Sequence, residues 1–256
     1  MKGVSIIVPV NGNFNLKPLL DSIYYDDYEV IIIGTDSGYI DSISDKVRFV
    51  RSAENRSEAR NSGSKLSKYE NLLFLDADMD LSDHFLVNAI IDAGKFDALI
   101  FPEITLGSGI IARGRRFERS GLYRSLYFEA PRMIRKDVFN LIGGYNKDMN
   151  AFEDLDLMSR LLRGNFGIGW SENIIFHHEE DVSVIDYVKK RVYYTHANKE
   201  IFLNENQEFS RQLVKIGNRY GCFLNSVRIY RMRSIYYLPF YLVVTLINVL
   251  IYVVIK

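Results

Sequence analysis

The chain has 256 residues, of which 48% are hydrophobic and 25% are charged, so it can bury a sizeable core and is not a disordered protein. Its 32 basic and 32 acidic residues balance to a net charge of zero, which argues against nucleic acid as a partner. A single cysteine, Cys222, excludes an internal disulfide bond and fits a reducing compartment.

Short apolar runs alternate with helical patterns along the first hundred residues. The predicted strands are Val4–Val10, Tyr28–Ile33, Val47–Arg51, Asn71–Leu75 and Ala98–Pro102. The helices predicted between them are Leu16–Tyr25, Ser57–Lys68 and Phe85–Ala93. Strands that alternate with helices favour a mainly parallel sheet with right-handed crossovers. We therefore expect an α/β fold with a Rossmann-like sheet flanked by helices.

The middle of the chain has a less regular pattern. Leu106–Ser120 is rich in glycine and arginine and is predicted to be a mobile loop. Ala130–Leu141 combines a strand-like start with a short helix. A helix at Phe152–Arg163, a strand at Gly167–Phe176 and a helix at Val184–Phe202 are expected to follow.

The most apolar part of the chain is Ile235–Ile255, which contains no charged residue. A helix of this length, at about 1.5 Å per residue, matches the roughly 30 Å hydrocarbon core of a bilayer. Three alternatives follow: a transmembrane helix, a helix lying in the membrane plane, or a buried terminal helix. The sequence thus predicts a catalytic region at 1–205 and a helical, membrane-associated tail at 206–256.

Three arginines, Arg228, Arg231 and Arg233, precede this apolar segment. By the positive-inside rule they predict that its N-terminal side lies in the cytoplasm. The first apolar run, Val4–Val10, is too short to serve as the core of a signal peptide. We therefore expect the protein at the cytoplasmic face of a membrane.

Two carboxylates, Asp76 and Asp78, follow the predicted strand that ends at Leu75. Side chains two residues apart in an extended chain point to the same face, so the two carboxylates are expected to converge. Mg²⁺ and Mn²⁺ prefer oxygen ligands, and Mg²⁺ commonly takes one or two carboxylates together with phosphate oxygens. Ligands of open α/β sheets bind outside the carboxyl ends of the strands. The pattern predicts a metal–diphosphate site, with a solvated turn as the alternative.

Two further residues occur where ligands of such a sheet would bind. Asp36 follows the second strand in a Gly/Ser turn, where its carboxylate would contact a base or a ribose; an ordinary Asx turn is the alternative. Arg60 belongs to the helix before the Asp76 strand, so its guanidinium would lie near the diphosphate unless it is a surface charge.

Acids and histidines mark two later elements. Glu153 and Asp154 begin a predicted helix, where acids are also stabilised by the helix dipole. His177 and His178 end a predicted strand, and one of them could complete a metal shell through a ring nitrogen.

Six strings occur in a fixed order over roughly residues 3–180: SIIVPV, ARNSG, LFLDADMD, IGGYN, FEDLDLMSRLLRGN and FHHE. This ordered set resembles the family-two inverting glycosyltransferases of GT-A fold, in their membrane-associated form. The chain departs from the family pattern at Asp36, where two adjacent acids usually precede Gly-Ser. Its first turn, Val10–Asn13, also lacks the usual Tyr-Asn, so the nucleotide stays undetermined.

The resemblance implies a role for each matched residue. A nucleotide-diphosphate sugar would be bound by Pro9, Asp36, Arg60, Asp76, Ala77 and Asp78. Asp154 would be the general base, supported by Glu153. A divalent metal, Mg²⁺ or Mn²⁺, would be held by Asp76, Asp78 and either His177 or His178. The acceptor would be a hydroxyl of a glycan or a polyprenyl-linked phosphate, with Arg113 and Arg132 on its side.

Two other functions are open at the level of the sequence. A sugar-phosphate nucleotidyltransferase shares the architecture but needs a basic, glycine-rich loop after the first strand, and residues 11–14 contain no Arg or Lys. A catalytically silent nucleotide-sugar-binding scaffold would not need Asp76, Asp78 and Asp154, which are all present.

Overall fold

A computed structural model describes most of the chain. The described residues are 3–12, 15–35, 44–52, 54–122, 128–179, 182–196, 199–214 and 232–255. They form two compact units, which we call the first unit (Met1–Phe101 with Ala130–Ile175) and the second unit (Pro102–Glu129 with Phe176–Lys256). The predicted division into a catalytic region and a tail at residue 205 is not tested by these units and stays a prediction.

The first unit contains a seven-stranded sheet. In spatial order its strands are β3 (Val47–Arg51), β2 (Tyr28–Gly34), β1 (Val4–Val10), β4 (Asn71–Phe74), β8 (Met133–Arg135), β6 (Ala98–Ile100) and β9 (Ile168–Trp170). β3, β2, β1 and β4 are parallel, β8 is antiparallel to both of its neighbours, and β6 is parallel to β9. This mixed, mostly parallel sheet confirms the predicted α/β architecture.

Helices flank this sheet and bury both of its faces. They are α1 (Lys17–Asp21), α2 (Arg56–Leu66), α3 (Phe85–Ala93), α5 (Lys136–Leu141) and α6 (Glu153–Arg163), and a short strand, β5 (Met79–Leu81), precedes α3. Ile6 and Val8 of β1 belong to the core that contains α3, whereas Ile7 belongs to the core that contains α5 and α6. A strand buried on both faces needs a continuous apolar run, which is what the sequence of β1 provides.

Two local features define where α2 begins and how closely it packs on the sheet. Its N-terminus is closed by a capping box, in which Asn55 Oδ1 accepts the Glu58 N–H (3.0 Å) and Glu58 Oε2 accepts the Asn55 N–H (3.2 Å). In the middle of the helix, a Cβ at Gly63 would lie 2.4 Å from Ile7 Cγ2, so only glycine allows this approach. The capping box therefore sets where the helix begins, and Gly63 allows the helix to pack closely on β1.

The second unit combines two strands with five helices among its described residues. They are β7 (Glu103–Leu106), α4 (Ile110–Leu122), β10 (Ile175–His178), α7 (Val184–His196), α8 (Lys199–Glu205), α9 (Gln207–Val214) and α10 (Met232–Ile255). β7 and β10 are neighbours in a small sheet, and α10 packs on α4 and α7. No helix among the described residues is long and apolar enough to cross a membrane.

Two predictions from the sequence, for Leu106–Ser120 and for Gly167–Phe176, are wrong in detail. The segment Leu106–Ser120, predicted to be a loop, is largely α4, because Ile111, Ala112 and Phe117 bury one face of a helix that the many glycines and arginines concealed. The strand predicted at Gly167–Phe176 is two short strands, β9 and β10. The helix predicted at Val184–Phe202 is helical in all of its described residues, as α7 and the start of α8, and residues 197–198 lie outside the described part of the chain.

Candidate active site

The carboxyl ends of three parallel strands define one edge of the sheet in the first unit. Pro9 lies near the end of β1, in register with Ile33 of β2, and β4 runs beside β1 in the same direction. Asp76 and Ala77 follow β4 and are half-buried. This is the edge at which open α/β sheets bind their ligands.

The two aspartates do not lie on an extended strand. β4 ends at Phe74, and the chain turns at Ala77–Asp78, where the Met79 N–H donates to the Asp76 carbonyl (3.2 Å). The alternation argument for the convergence of Asp76 and Asp78 is therefore wrong, although both side chains are half-buried at this edge.

Arg60 joins the end of β4 to the start of α6. Its guanidinium is fully buried, and Nη2 donates to Asp76 Oδ1 at 2.8 Å. Nη1 donates to Glu153 Oε1 at 3.1 Å and to Asp154 Oδ1 at 3.2 Å. The guanidinium also lies over the ring of Tyr145, 4.9 Å from its centroid. One buried cation thus holds three carboxylates that are far apart in sequence.

The charges in this cluster alter the protonation of its members. Burial alone would lower the pKa of Arg60, but the charges of Asp154 and Asp76 more than offset it, so the pKa is raised and the cation is permanent. For Glu153, burial and then the charge of Asp154 raise the pKa of the carboxyl, and Arg60 and Arg56 only partly oppose this.

The two adjacent acids at the start of α6 have different surroundings. The Glu153 side chain is 5% exposed, whereas the Asp154 side chain is 34% exposed. Asp154 Oδ1 is held by Arg60, and Oδ2 has no hydrogen-bond partner among the described residues. Phe152, which begins the helix, has a positive φ of 63°, an uncommon conformation for a bulky residue. Asp154 therefore offers one anchored and one solvent-accessible oxygen.

A second cation, Arg132, lies beside Asp76. Its Nη1 is 3.6 Å from Asp76 Oδ2, on the side of the carboxylate away from the bond to Arg60. The Arg132 side chain is largely buried, in the turn just before β8. Asp76 thus lies between two guanidinium groups, which makes the end of β4 less negative than its sequence indicates.

The turn before α6 is held by side chains that the sequence analysis did not single out. Asn61, next to Arg60, donates from Nδ2 to the Tyr145 carbonyl and accepts the Tyr145 N–H at Oδ1, both at 2.8 Å. Arg160 donates from Nη1 to the carbonyls of Ile142 and Gly144, and from Nε and Nη2 to the buried carboxylate of Asp156. These residues occur in the strings ARNSG, IGGYN and FEDLDLMSRLLRGN, so those strings encode a scaffold as well as a site.

Comparison with known proteins adds a fold-level result. The chain matches no protein-family model and no curated protein sequence. Among solved structures it is similar to residues 1–349 of S. aureus TarS in complex with UDP-GlcNAc (16% identity, TM-score 0.55), over 88% of this chain and 79% of that one. It is also similar to the longer TarS chain (18% identity, TM-score 0.51), over 90% of this chain. This chain spans only 44% of the length of that TarS chain.

TarS is a glycosyltransferase. The chain has a glycosyltransferase fold. At 16–18% identity the likeness establishes the fold alone, so the activity rests on the residues of the site.

Several of the predicted site residues lie together in the first unit of this glycosyltransferase fold. Arg60, Asp76, Arg132, Glu153 and Asp154 form one connected cluster in the first unit. Asp36, the predicted nucleotide ligand, lies outside the described residues.

His177, His178 and Arg113 belong to the second unit. His177 is buried there and contacts Arg119 and Glu103, whereas His178 is half-exposed on the opposite face of β10. Among the described residues, no group of three or more His, Cys, Asp or Glu side chains is arranged to hold a metal ion. The assignment of metal ligands therefore stays a prediction.

An open groove of about 880 Å³ in the first unit lies away from this cluster. It is lined by Asn71, at the start of β4, and by Ile90, Arg135 and Lys136. Since Asp76 follows the other end of β4, volume alone does not identify the site in this fold.

Substitution of two adjacent glycines tests how the turn before α6 is held in place. Gly143 (φ 84°) and Gly144 (φ 69°) both have left-handed backbones, but only a Cβ at Gly144 would meet Asn61 Oδ1, at 2.6 Å. We expect Gly143→Ala to lower the free energy of unfolding by about 1–2 kcal/mol and Gly144→Ala to lower it by about 1–2 kcal/mol more. Urea unfolding of the full chain measures both, and equal losses would show that the Asn61 contact is unimportant.

The raised pKa of Glu153 predicts a specific pH dependence. A carboxyl whose pKa is higher in the folded state takes up a proton on folding, so its contribution to stability is greatest at low pH and declines as pH rises through the raised pKa. In Glu153→Gln this decline is absent. We therefore expect the stability of the variant relative to the parent to increase as the pH rises above 4.5, the ordinary pKa of a glutamate.

Denaturant unfolding at several pH values measures this difference. The exposed Glu70→Gln variant is the control and should show a constant difference from the parent. A Glu153→Gln difference that decreases with pH would contradict the direction of the shift.

Proposed function

We propose that the protein is an inverting glycosyltransferase of the family-two type. It transfers a sugar from a nucleotide-diphosphate sugar to an acceptor. The observation that carries this proposal is the Asp154 carboxylate, half-exposed at the start of α6 and joined through the buried Arg60 to Asp76 at the carboxyl edge of the sheet. On a glycosyltransferase fold, this arrangement supplies a base beside a diphosphate site.

The proposed general base is Asp154. Its solvent-accessible oxygen takes the proton of an acceptor hydroxyl, which must come within about 2.6–3.2 Å. The acceptor oxygen then forms a bond to the anomeric carbon while the bond to the diphosphate breaks and its electron pair leaves with the diphosphate. Attack from the face opposite the leaving group inverts the configuration, as it does in inverting glycosidases.

Arg60 has a positioning role in this proposal. All three of its hydrogen bonds to carboxylates are made within the protein, and its side chain is fully buried. Arg60 therefore holds Asp154 at a set position relative to Asp76, and Glu153 supports the base through the same guanidinium. Geometry of this kind lowers the barrier because the base does not have to be oriented during the reaction.

The donor site is proposed at the edge formed by Pro9, Asp76, Ala77 and Asp78, with Asp36 on the nucleotide. Two carboxylates would suit a hard divalent cation that completes its shell with water and phosphate oxygens, so Asp76 and Asp78 are the proposed ligands of Mg²⁺ or Mn²⁺. Such an ion, when bound, offsets the charge that develops on the leaving diphosphate. Since TarS was solved with UDP-GlcNAc and with UDP, these are the first donor and nucleotide to test.

The acceptor is proposed to be a hydroxyl of a glycan or of a lipid-linked sugar, at the cytoplasmic face of a membrane. A polyprenyl phosphate is the alternative acceptor. It is already a nucleophile and needs a cation such as Arg113 or Arg132 more than it needs a base. The dependence on Asp154 separates these two acceptor classes.

Replacing the base should abolish transfer but leave donor binding intact. We expect Asp154→Asn to lower the rate of UDP release from UDP-sugars by about 10²–10⁴-fold, because the amide cannot take the proton. The affinity for UDP should change less than threefold. A screen of UDP- and GDP-sugars with Mn²⁺ or Mg²⁺, with and without polyprenyl phosphate, measures turnover, and calorimetry measures binding.

Asp83→Asn, an exposed change close to the same strands, is the control and should retain full turnover. If Asp154→Asn keeps turnover with a hydroxyl acceptor, Asp154 is not the base. If the parent turns over no donor but binds UDP, the protein is a silent nucleotide-sugar-binding scaffold.

Asp78 should determine the effect of the metal on nucleotide binding. In the parent, we expect Mn²⁺ to increase the affinity for UDP by at least about tenfold, because an ion held by Asp78 would supply positive charge beside the diphosphate. In Asp78→Ala this increase should be lost, whereas Asp83→Asn should retain it. UDP binding that is the same with Mn²⁺ and with EDTA in the parent would remove the metal from the proposal.

A further inference from the structure

One face of α10 exposes only apolar side chains. Leu242, Val243, Leu246, Val249 and Leu250 are between 43% and 58% exposed, and the neighbouring Pro239 is exposed as well. At about 100° per residue these positions cover one continuous sector of roughly 120° along the helix. We call this sector the outer face. A contiguous apolar surface of this kind is unusual on a soluble protein and marks an interaction site.

The opposite side of α10 is the packed side. Val244 is 1% exposed and lies in a cluster with Ile111 of α4 and Tyr187 of α7. Asn248 points to the same side, where its Oδ1 accepts a hydrogen bond from the Tyr187 hydroxyl (3.1 Å). The one amide side chain of this segment is thus hydrogen-bonded within the unit, and the outer face carries no hydrogen-bonding side chain among the described residues.

A cation without a carboxylate partner borders the outer face. Arg113 of α4 donates from Nη1 to the Tyr236 hydroxyl (2.9 Å), and its guanidinium lies over the rings of Tyr236 and Phe240. Among the described residues, neither Arg113 nor Arg116 forms an ion pair with an acidic side chain. In contrast, Arg115 and Arg119 of the same helix are bound to the buried carboxylate of Glu179.

We propose that the outer face of α10, together with Arg113 and Tyr236, seats the second unit on an anionic lipid surface. The helix would lie in the plane of the membrane, with its leucines and valines among the acyl chains. The guanidinium of Arg113 and the hydroxyl of Tyr236 would be level with the headgroups. An aliphatic face beside an uncompensated cation and an exposed tyrosine is the pattern of interfacial helices.

The composition of the outer face favours lipid over a protein partner. The centres of protein–protein interfaces are enriched in Trp, Tyr and Arg, and their rims carry hydrogen bonds. The outer face has none of these at its centre, and fluid acyl chains need only apolar area. Charge complementarity between Arg113 and anionic headgroups adds about 1 kcal/mol, roughly a fivefold increase in binding.

Vesicle sedimentation with the full-length protein tests this proposal without any assumption about its activity. We expect the parent to bind vesicles of phosphatidylglycerol and phosphatidylcholine. Leu246→Glu should lower the partition coefficient at least about tenfold, because the substitution replaces a leucine that would insert among the acyl chains by a charged side chain. Arg113→Gln should lower it about fivefold on anionic vesicles and leave binding to pure phosphatidylcholine unchanged.

Leu141→Glu is the matched control, because Leu141 is a 75% exposed leucine in the first unit. It should bind vesicles as the parent does, and thermal melting monitored by circular dichroism should show all variants folded. A parent that does not sediment with anionic vesicles overturns the proposal. So does a parent that is dimeric in solution and becomes monomeric in Leu246→Glu without loss of vesicle binding, since the face then binds a second copy.

Discussion

Arg60 keeps a full positive charge in a place that solvent does not reach. A buried guanidinium is stable only where carboxylates surround it, and here Asp76, Glu153 and Asp154 supply them. Loss of Arg60 would leave the buried Glu153 carboxylate without its closest cation, and breaking a buried ion pair in this way typically costs about 3–5 kcal/mol. A lysine would not replace it, since a single ammonium does not offer the planar fork of donors that reaches two elements at once.

The position of Arg60 depends in turn on α2 as a rigid platform. The capping box closes the N-terminus of the helix, and the absence of a side chain at Gly63 allows the helix to pack directly against Ile7 of β1. From this platform Asn55, Ser57 and Asn61 bind the backbone of the segment at residues 145–149, which leads into α6. The start of α6, and with it the proposed base, is therefore set by several bonds from one helix. This explains why a string as short as ARNSG is informative, since Arg60, Asn61 and Gly63 each have a separate structural role.

The arginines of α4 in the second unit form two groups with different partners. Arg115 and Arg119 are neutralised by buried carboxylates and stabilise the packing of α4, β7 and β10. Arg113 and Arg116 instead donate to tyrosine hydroxyls of α10, and among the described residues no carboxylate neutralises their charge. Since neighbouring positions of a helix point in different directions, a run of like charges in the sequence becomes two groups with different roles.

The sequence by itself determined where most strands and helices of the first unit lie along the chain, the α/β class and the residues from which the candidate site is drawn. It could do so because apolar periodicity and capping are local properties, readable over a few residues. It misassigned α4 because glycines and arginines dominate a segment whose few apolar residues bury one helical face. It also assumed an extended geometry at Asp76–Asp78 that the turn replaces.

Only the tertiary structure decided how the site residues are connected. That Arg60 binds Asp76 and Asp154, that Glu153 is buried while Asp154 is open to solvent, and that Asn248 faces inward are contacts between distant segments. Such contacts depend on where the elements meet in the fold, and no local pattern in the chain records them.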